Sequence, residues 1–263
     1  MNLRQLLIPL AGLLLPLTAA AGQIHTETVE YEHDGEVLEG YLAHPEGARN
    51  GPAVLIVHEW WGINDYVRGR AEQLAQLGYT AFAMDMYGKG VRAETADEAG
   101  ELARKYRGGD RQNMRDRTRR SLDLLRDHPA ADPRRTVAIG YCFGGTAVLE
   151  LARDGADIAG FVSFHGNLNT PRPAGEGDIN GPVLVLHGAA DPLVPPEEVA
   201  GFREEMANAD ADWQLIEYGG AVHAFTNPDA GDDPTQPLAY DRKADRRSLR
   251  HMLLFFDEGL GAI

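Results

Sequence analysis

Apolar positions along the chain follow patterns that predict strands alternating with helices. Residues 26–31 and 37–43 alternate apolar and polar side chains on either side of Asp34-Gly35, which predicts an antiparallel hairpin at a sheet edge. Continuous apolar runs such as 52–58 and 182–187 are typical of strands buried on both faces. Together with these two runs, the strands predicted after the hairpin are residues 52–58, 79–84, 136–141, 158–164, 182–187 and 213–218.

Helical periodicity fills most of the intervals between these strands. One helix is expected from a cap at Asn64 or Asp65 to Leu77, and another, strongly charged on its outer face, at 110–126. Because strands and helices alternate, the sheet should be mainly parallel with helices on both faces. No repeat or linker divides residues 22–263, which predicts a single α/β domain. The other helices are predicted at residues 95–106, 144–153, 196–207 and 240–258.

The first 21 residues have the pattern of a secretory signal peptide. A short basic start precedes an apolar run at 6–17, and Ala19-Ala20-Ala21 forms a small-residue cleavage site. The apolar run is too short for a comfortable membrane span and contains no cysteine for a lipid anchor. We therefore expect cleavage after Ala21 and a periplasmic or secreted protein with no stable membrane association.

The composition of the chain restricts its possible binding partners more than it restricts its possible folds. The 263 residues are 43% hydrophobic and 25% charged, which is ordinary for a globular protein. The formal net charge of −15 argues against nucleic acid and anionic membrane surfaces as partners, and we interpret it as a source of solubility. A monomer acting on a small molecule is expected.

The chain contains one cysteine, Cys142, within the sequence Gly140-Tyr141-Cys142-Phe143-Gly144-Gly145. A lone cysteine is usually a small buried apolar residue. Here it stands between a predicted strand and a predicted helix, in the pattern of a nucleophile elbow with sulfur in place of the usual serine oxygen. A helix N-terminus behind the sulfur favours a thiolate and offers free N–H groups to a developing oxyanion. This context favours a reactive thiol.

An acid and a histidine follow Cys142 in the order found in α/β-hydrolases. Asp191 comes just after the strand at 182–187, and His223 comes after the final strand at 213–218. An Asp before Pro is commonly only a turn former, and a loop histidine is commonly structural. At strand ends, however, Asp191 could orient His223 as a general base. A metal site with His187 lacks further ligands nearby, so no metal is expected.

Glu59 stands at the end of the strand at 52–58, between His58 and two tryptophans. A carboxylate in such surroundings must be hydrogen-bonded or partly neutralised. A perturbed carboxylate in a cleft marks a functional site. The alternative is a structural ion pair with Arg68 or Arg70.

At these positions the sequence resembles the dienelactone hydrolase family. The resemblance implies an α/β-hydrolase fold over nearly all of the mature chain, with a catalytic triad of Cys142, Asp191 and His223 and no cofactor. It also implies that Glu59 lies beside the resting thiol, and that the backbone N–H groups of Trp60 and Phe143 form the oxyanion hole. The residues that carry it are 58–62, 85–87, 140–145, 191–195 and 223–225.

Two departures from the family pattern concern the substrate. Members that cleave dienelactones hold the substrate carboxylate with two arginines, one of them four residues after the triad histidine, where this chain has Asn227. The other lies on the helix near 102–106, where Arg104 is a nearby candidate. Losing a guanidinium weakens the case for a dienelactone as substrate. The aromatic residues expected to line the pocket, beside Trp60, are Trp61, Tyr87 and Phe225.

The resulting prediction is a hydrolase of esters or lactones that acts through a thioester on Cys142. Two other kinds of protein stay open at this point. One is a binding protein of the same fold without catalysis, since fold alone does not determine function. The other is a redox protein in which Cys142 cycles through a sulfenic acid, although the chain has no second cysteine to resolve it.

Overall fold

The computed structural model of the protein describes residues 22–261, so the predicted signal peptide lies outside the described residues. Every predicted strand and helix has a counterpart among them. The strands are β1 Ile24–His33, β2 Glu36–Pro45, β3 Gly51–Val57, β4 Thr80–Met84, β5 Ala131–Tyr141, β6 Gly160–Phe164, β7 Val183–Gly188 and β8 Trp213–Tyr218. The helices are α1 Asp65–Gln76, α2 Ala96–Arg107, α3 Gln112–Arg126, α4 Phe143–Arg153, α5 Pro196–Asn208 and α6 Arg242–Leu260.

The eight strands form one sheet in the order β1-β2-β4-β3-β5-β6-β7-β8. The β1–β2 hairpin is antiparallel and lies at the edge, and β2 pairs antiparallel with β4. From β4 onward, all neighbours are parallel. The hairpin turns at Asp34 and Gly35, which both have positive φ. The mainly parallel sheet with an antiparallel edge hairpin is therefore confirmed.

Helices cover both faces of the sheet, as the alternation of elements predicted. On β3, Leu55 and Val57 face the core that includes α2 to α5, whereas Val54 and Ile56 face the core that includes α1 and α6. This alternation explains why a strand buried on both faces has an uninterrupted apolar sequence. The arrangement is the α/β-hydrolase fold. None of the helices within residues 22–261 is long and apolar enough to cross a membrane.

Strand β5 begins at Ala131, earlier than the apolar run at 136–141 indicated. Ala131 pairs with Gly51, and the register then shifts before Thr136 pairs with Ala53. The residues in this irregular segment are polar or proline, so they carry no apolar signal. The sequence pattern therefore identified only the regular part of the strand.

Helix α3, which was predicted to be strongly charged on its outer face, also carries buried arginines. Arg115 is 2% exposed and donates to the carboxylate of Glu150, with 2.5 Å between Arg115 Nη2 and Glu150 Oε2. Glu150 lies on α4, is fully buried, and also accepts from Arg111 and Arg153, at 3.0 and 3.3 Å. We call these four residues the Glu150 cluster. It ties α3 to the helix that follows Cys142, and Arg111 also donates to the backbone O of Asn169.

Candidate active site

The turn between β5 and α4 holds Cys142 in a strained backbone conformation. Its φ of 54° and ψ of −115° lie outside the regions that side chains favour, and such strain persists where the surroundings enforce it. A Cβ on Gly140 would lie 2.0 Å from the backbone O of Gly144, and a Cβ on Gly144 would lie 2.2 Å from that of Val57. Only glycine fits at these two positions, so the elbow predicted from the sequence is formed.

The structure brings Cys142, His223 and Asp191 together from three loops. His223 Nε2 lies 3.0 Å from Cys142 Sγ, and His223 Nδ1 lies 2.7 Å from Asp191 Oδ2. His223 and Asp191 are buried, whereas Cys142 is partly exposed. With Nδ1–H donating to the carboxylate, Nε2 is the ring nitrogen presented to the sulfur. This arrangement has the geometry of a nucleophile, a base and an orienting acid.

The charge state of His223 depends on its two partners. Burial disfavours the imidazolium, but the negative charge of Cys142 and the hydrogen bond to Asp191 outweigh it and raise the pKa of His223 to about 10. At neutral pH this favours the imidazolium form of His223 beside the sulfur. A thiolate is the reactive form of cysteine.

Two backbone N–H groups beside the sulfur have no hydrogen-bond acceptor within residues 22–261. Phe143 is the first residue of α4, where a helix leaves its N–H groups unpaired. Trp60 lies in the turn after β3, and the hydroxyl of Tyr87 donates to its backbone O at 3.0 Å. This contact anchors the Trp60–Trp61 peptide, which adjoins the peptide that carries the Trp60 N–H. Free N–H groups of this kind are what an oxyanion hole requires.

Glu59 is 3% exposed, and within residues 22–261 its carboxylate accepts a hydrogen bond only from the side-chain amide of Asn227. Asn227 Nδ2 lies 2.6 Å from Oε2, while Oε1 is buried without a partner in the described chain. Burial raises the pKa of Glu59 to about 7, opposed in part by Asn227 and by the charges of His223 and Arg70. Arg70 itself binds Asp245. The structural ion pair considered for Glu59 is therefore absent within residues 22–261.

We expect the stability difference between the wild type and Glu59→Gln to change with pH. The carboxyl has an ordinary pKa of 4.5 and a folded value of about 7, so burial of its neutral form stabilises the fold fully below pH 4.5. That contribution, about 3 kcal/mol from the size of the shift, is lost as the pH rises through 7. Urea unfolding of both proteins across this range measures it. A difference that stays constant would contradict the assignment.

A cavity of about 530 Å³ opens beside the sulfur. Cys142, Glu59, Trp61 and Asn227 line it, so the structure places these sequence-predicted residues around one space. Arg104 instead lines a second cavity, of about 430 Å³, which shares Trp60 with the first. The expectation that Arg104 belongs to the pocket at the thiol is corrected, because the α2 position it occupies faces the neighbouring space.

Tyr87 and Phe225 also differ from the expectation of pocket-lining aromatics. Tyr87 is 4% exposed and packs against Phe143, with ring centroids 5.6 Å apart. Phe225 is fully buried and packs against the rings of His165 and Tyr218. Both rings pack against residues that surround the site and do not line the cavity. The expectation that Tyr87 and Phe225 line the pocket is therefore corrected. Sequence alone could not separate them from Trp61, since all three flank the predicted strand ends.

His165, which no sequence motif singled out, lies directly behind the elbow. It follows β6, is 1% exposed, and its Nδ1 lies 3.1 Å from the backbone N of Cys142. The position after a buried strand was the signal that could have found it, because that rule selected Glu59 and Asp191. Among residues 22–261, no group of three metal-ligating side chains could hold a metal ion.

Comparisons with known proteins identify the family that the chain resembles. The sequence profile of the dienelactone hydrolase family matches residues 38–260. Protein usf of Aquifex pyrophilus is 29% identical over 205 residues, which cover 76% of this chain and 87% of that protein.

Two solved structures are more similar still. A metagenomic protein described as a dienelactone hydrolase-like promiscuous phosphotriesterase, P91, is 38% identical, with a TM-score of 0.83 over 90% of this chain and 99% of its own. A structure named m3DLH is 37% identical, with a TM-score of 0.85 over the same shares. With a family profile spanning most of its length, the chain belongs to the dienelactone hydrolase family and is a hydrolase.

Proposed function

We propose that this protein hydrolyses carboxylic esters or lactones through a thioester intermediate on Cys142. The observation that carries the proposal is the contact chain Cys142–His223–Asp191, with separations of 3.0 and 2.7 Å at a strained elbow. Each residue has the partner its role requires. The nucleophile contacts the base, and the acid holds the base in one tautomer.

In the first half of the reaction, the Cys142 thiolate attacks the carbonyl carbon and forms a C–S bond. The carbonyl oxygen becomes an oxyanion that the N–H groups of Trp60 and Phe143 stabilise. The C–O bond then breaks, and His223 Nε2 donates its proton to the leaving oxygen. In a lactone, this oxygen stays attached to the acyl chain.

In the second half, a water molecule attacks the thioester carbonyl while His223 accepts a proton from it. The C–S bond breaks, the carboxylic acid departs, and the Cys142 thiolate pairs again with the imidazolium. Asp191 keeps Nδ1 protonated throughout, so Nε2 serves as acid in one half and as base in the other. Glu59 lines the same cavity as Cys142. We propose that its carboxylate holds the sulfur in an unreactive position until substrate binds.

The lining of the cavity favours esters without a second carboxylate near the thiol. Glu59, Asp229 and Asn227 line this cavity, so two acidic groups face it. Asn227 occupies the position at which the family resemblance implies a carboxylate-binding arginine. Trp60 and Trp61 offer aromatic surface to an apolar acyl or alcohol group. We therefore propose neutral esters or lactones as substrates.

The two other kinds of protein are less well supported. A redox thiol has no need of Asp191, whereas Asp191 is buried and bound to His223. A binding protein without catalysis has no need of a strained cysteine at an elbow with two unpaired N–H groups. Export, from the pattern in residues 1–21, remains part of the proposal.

Hydrolysis of 4-nitrophenyl acetate tests the proposed function. We expect turnover by the wild type and a fall in kcat of at least about 100-fold in His223→Ala, because proton transfer contributes this much or more. His251→Ala is the matched control, since His251 also bonds a side chain but lies on α6, where it contacts Tyr218. Equal activity in the two variants, or none in the wild type, would contradict the proposal.

A further inference from the structure

We propose that His165 is a positioning residue that holds the Cys142 elbow and the His223 loop at a fixed distance from each other. Its two ring nitrogens contact different parts of the site. Nδ1 lies 3.1 Å from the backbone N of Cys142, and Nε2 lies 2.7 Å from Thr226 Oγ1. Thr226 is three residues after His223 on the same loop. The inference rests on the proposed function, since it assigns His165 a role in the Cys142–His223 pair.

The hydrogen bonds determine the tautomer of His165. The backbone N–H of Cys142 can only donate, so Nδ1 must be the unprotonated nitrogen, and Nε2–H donates to Thr226. Cys142 shares this N–H with the backbone O of Phe164, at 2.9 Å. The strained residue is therefore fixed by two acceptors from the end of β6. His165 itself has a φ of 40°, a conformation uncommon for a side-chain-bearing residue.

The far side of the network anchors the His223 loop to α1. Thr226 Oγ1 lies 2.7 Å from the hydroxyl of Tyr66, which accepts from Arg70 Nε at 3.3 Å. Arg70 also donates to the backbone O of Thr226 and to Asp245 on α6. Both Thr226 and His165 are 1% exposed, so these contacts are shielded from water.

His165 remains neutral next to the reacting pair. Burial, the charge of His223 and the charge of Arg70 hold the pKa of His165 well below its ordinary value. Other titratable groups near it are His187 and Tyr141, whose ring centroid lies 6.2 Å from that of His165. The His165 ring packs edge-on against His223, with centroids 5.4 Å apart. A neutral ring keeps Nδ1 as an acceptor and does not compete with His223 for the thiol proton.

The consequence is that loss of either contact should loosen the 3.0 Å separation of Cys142 Sγ and His223 Nε2. Coulomb attraction between a thiolate and an imidazolium weakens with distance, so the fraction of thiolate at neutral pH should fall. A small misplacement of reacting groups also lowers kcat more than it changes substrate binding.

The test compares His165→Phe with His251→Phe, which removes a histidine bonded to Tyr218 away from the site. In the full chain, iodoacetamide alkylation of Cys142 is followed against pH, together with kcat and KM for 4-nitrophenyl acetate. For His165→Phe we expect an alkylation midpoint about one pH unit higher, kcat about tenfold lower and KM within about twofold. His251→Phe should match the wild type in all three.

Thr226 supplies an independent pair of variants should His165→Phe fail to fold. Thr226→Val removes the hydroxyl and should shift the alkylation midpoint in the same direction, whereas Thr226→Ser keeps it and should restore most of the rate. Equal behaviour of Val and Ser, or an unshifted midpoint in folded His165→Phe, would overturn the inference. Because alkylation needs no ester, an inactive wild type would count against the proposed function alone.

Discussion

Cys142→Ala is expected to lower kcat/KM for 4-nitrophenyl acetate by at least about 10⁴-fold, because loss of the nucleophile can cost a triad hydrolase about 10⁶-fold in kcat. The chain has no other cysteine to replace it. Alanine removes only the sulfur and leaves the Trp60 and Phe143 N–H groups in place. The loss therefore reports the covalent step itself, and stopped-flow release of 4-nitrophenolate measures it.

The control for Cys142→Ala is its thermal unfolding, which should stay close to that of the wild type because the sulfur is partly exposed. With the fold intact, the remaining rate comes from binding and the oxyanion hole. Turnover within tenfold of the wild type would mean that His223 activates water directly, without a thioester. That result would leave the family assignment intact and reject the proposed intermediate.

Glu150→Gln is expected to destabilise the fold by about 3–5 kcal/mol, the usual cost of removing one partner from a buried ion pair. Glu150 is fully buried and accepts from three arginines of the Glu150 cluster. Glutamine keeps the shape but removes the charge that Arg115, 2% exposed, depends on. Urea unfolding followed by circular dichroism measures the loss.

Glu217→Gln is the matched control for Glu150→Gln. Glu217 pairs with Arg203 at 2.9 Å, but its side chain is 43% exposed and that of Arg203 is 48% exposed. Exposed pairs contribute about 0–1 kcal/mol, so this variant should unfold almost as the wild type does. Similar losses in the two variants would show that the Glu150 cluster contributes no more than a surface pair.

The fold was predictable because the sequence marks its elements locally. Apolar runs identified the strands, and Gly140 and Gly144 identified the elbow through the room they leave. The same signals failed where burial depends on a distant partner. From the sequence, Arg115 is expected at the surface. In the structure it is buried because Glu150, 35 positions away, accepts its hydrogen bonds. The periodicity of apolar and polar positions shows which residues are polar, but it does not show whether a charged residue has a buried partner.

The site was predictable in its reactive residues and less so in their support. Order along the chain was enough to select Cys142, Asp191 and His223. The contact of Glu59 with Asn227, 168 positions apart, depends on loop geometry that no local pattern encodes. His165 was missed because a histidine without a motif resembles any buried histidine. Its role can be inferred only from the two groups that its ring nitrogens contact, the backbone N of Cys142 and the hydroxyl of Thr226.

The most direct test of the central claim is to trap the acyl-enzyme. Wild-type protein is mixed with 4-nitrophenyl acetate, quenched in acid within the first turnovers, digested and examined by mass spectrometry. We expect one added acetyl group on the peptide that contains Cys142, and we expect it to be lost on further incubation before quenching. Steady product release with that peptide never acetylated would contradict a thioester on Cys142.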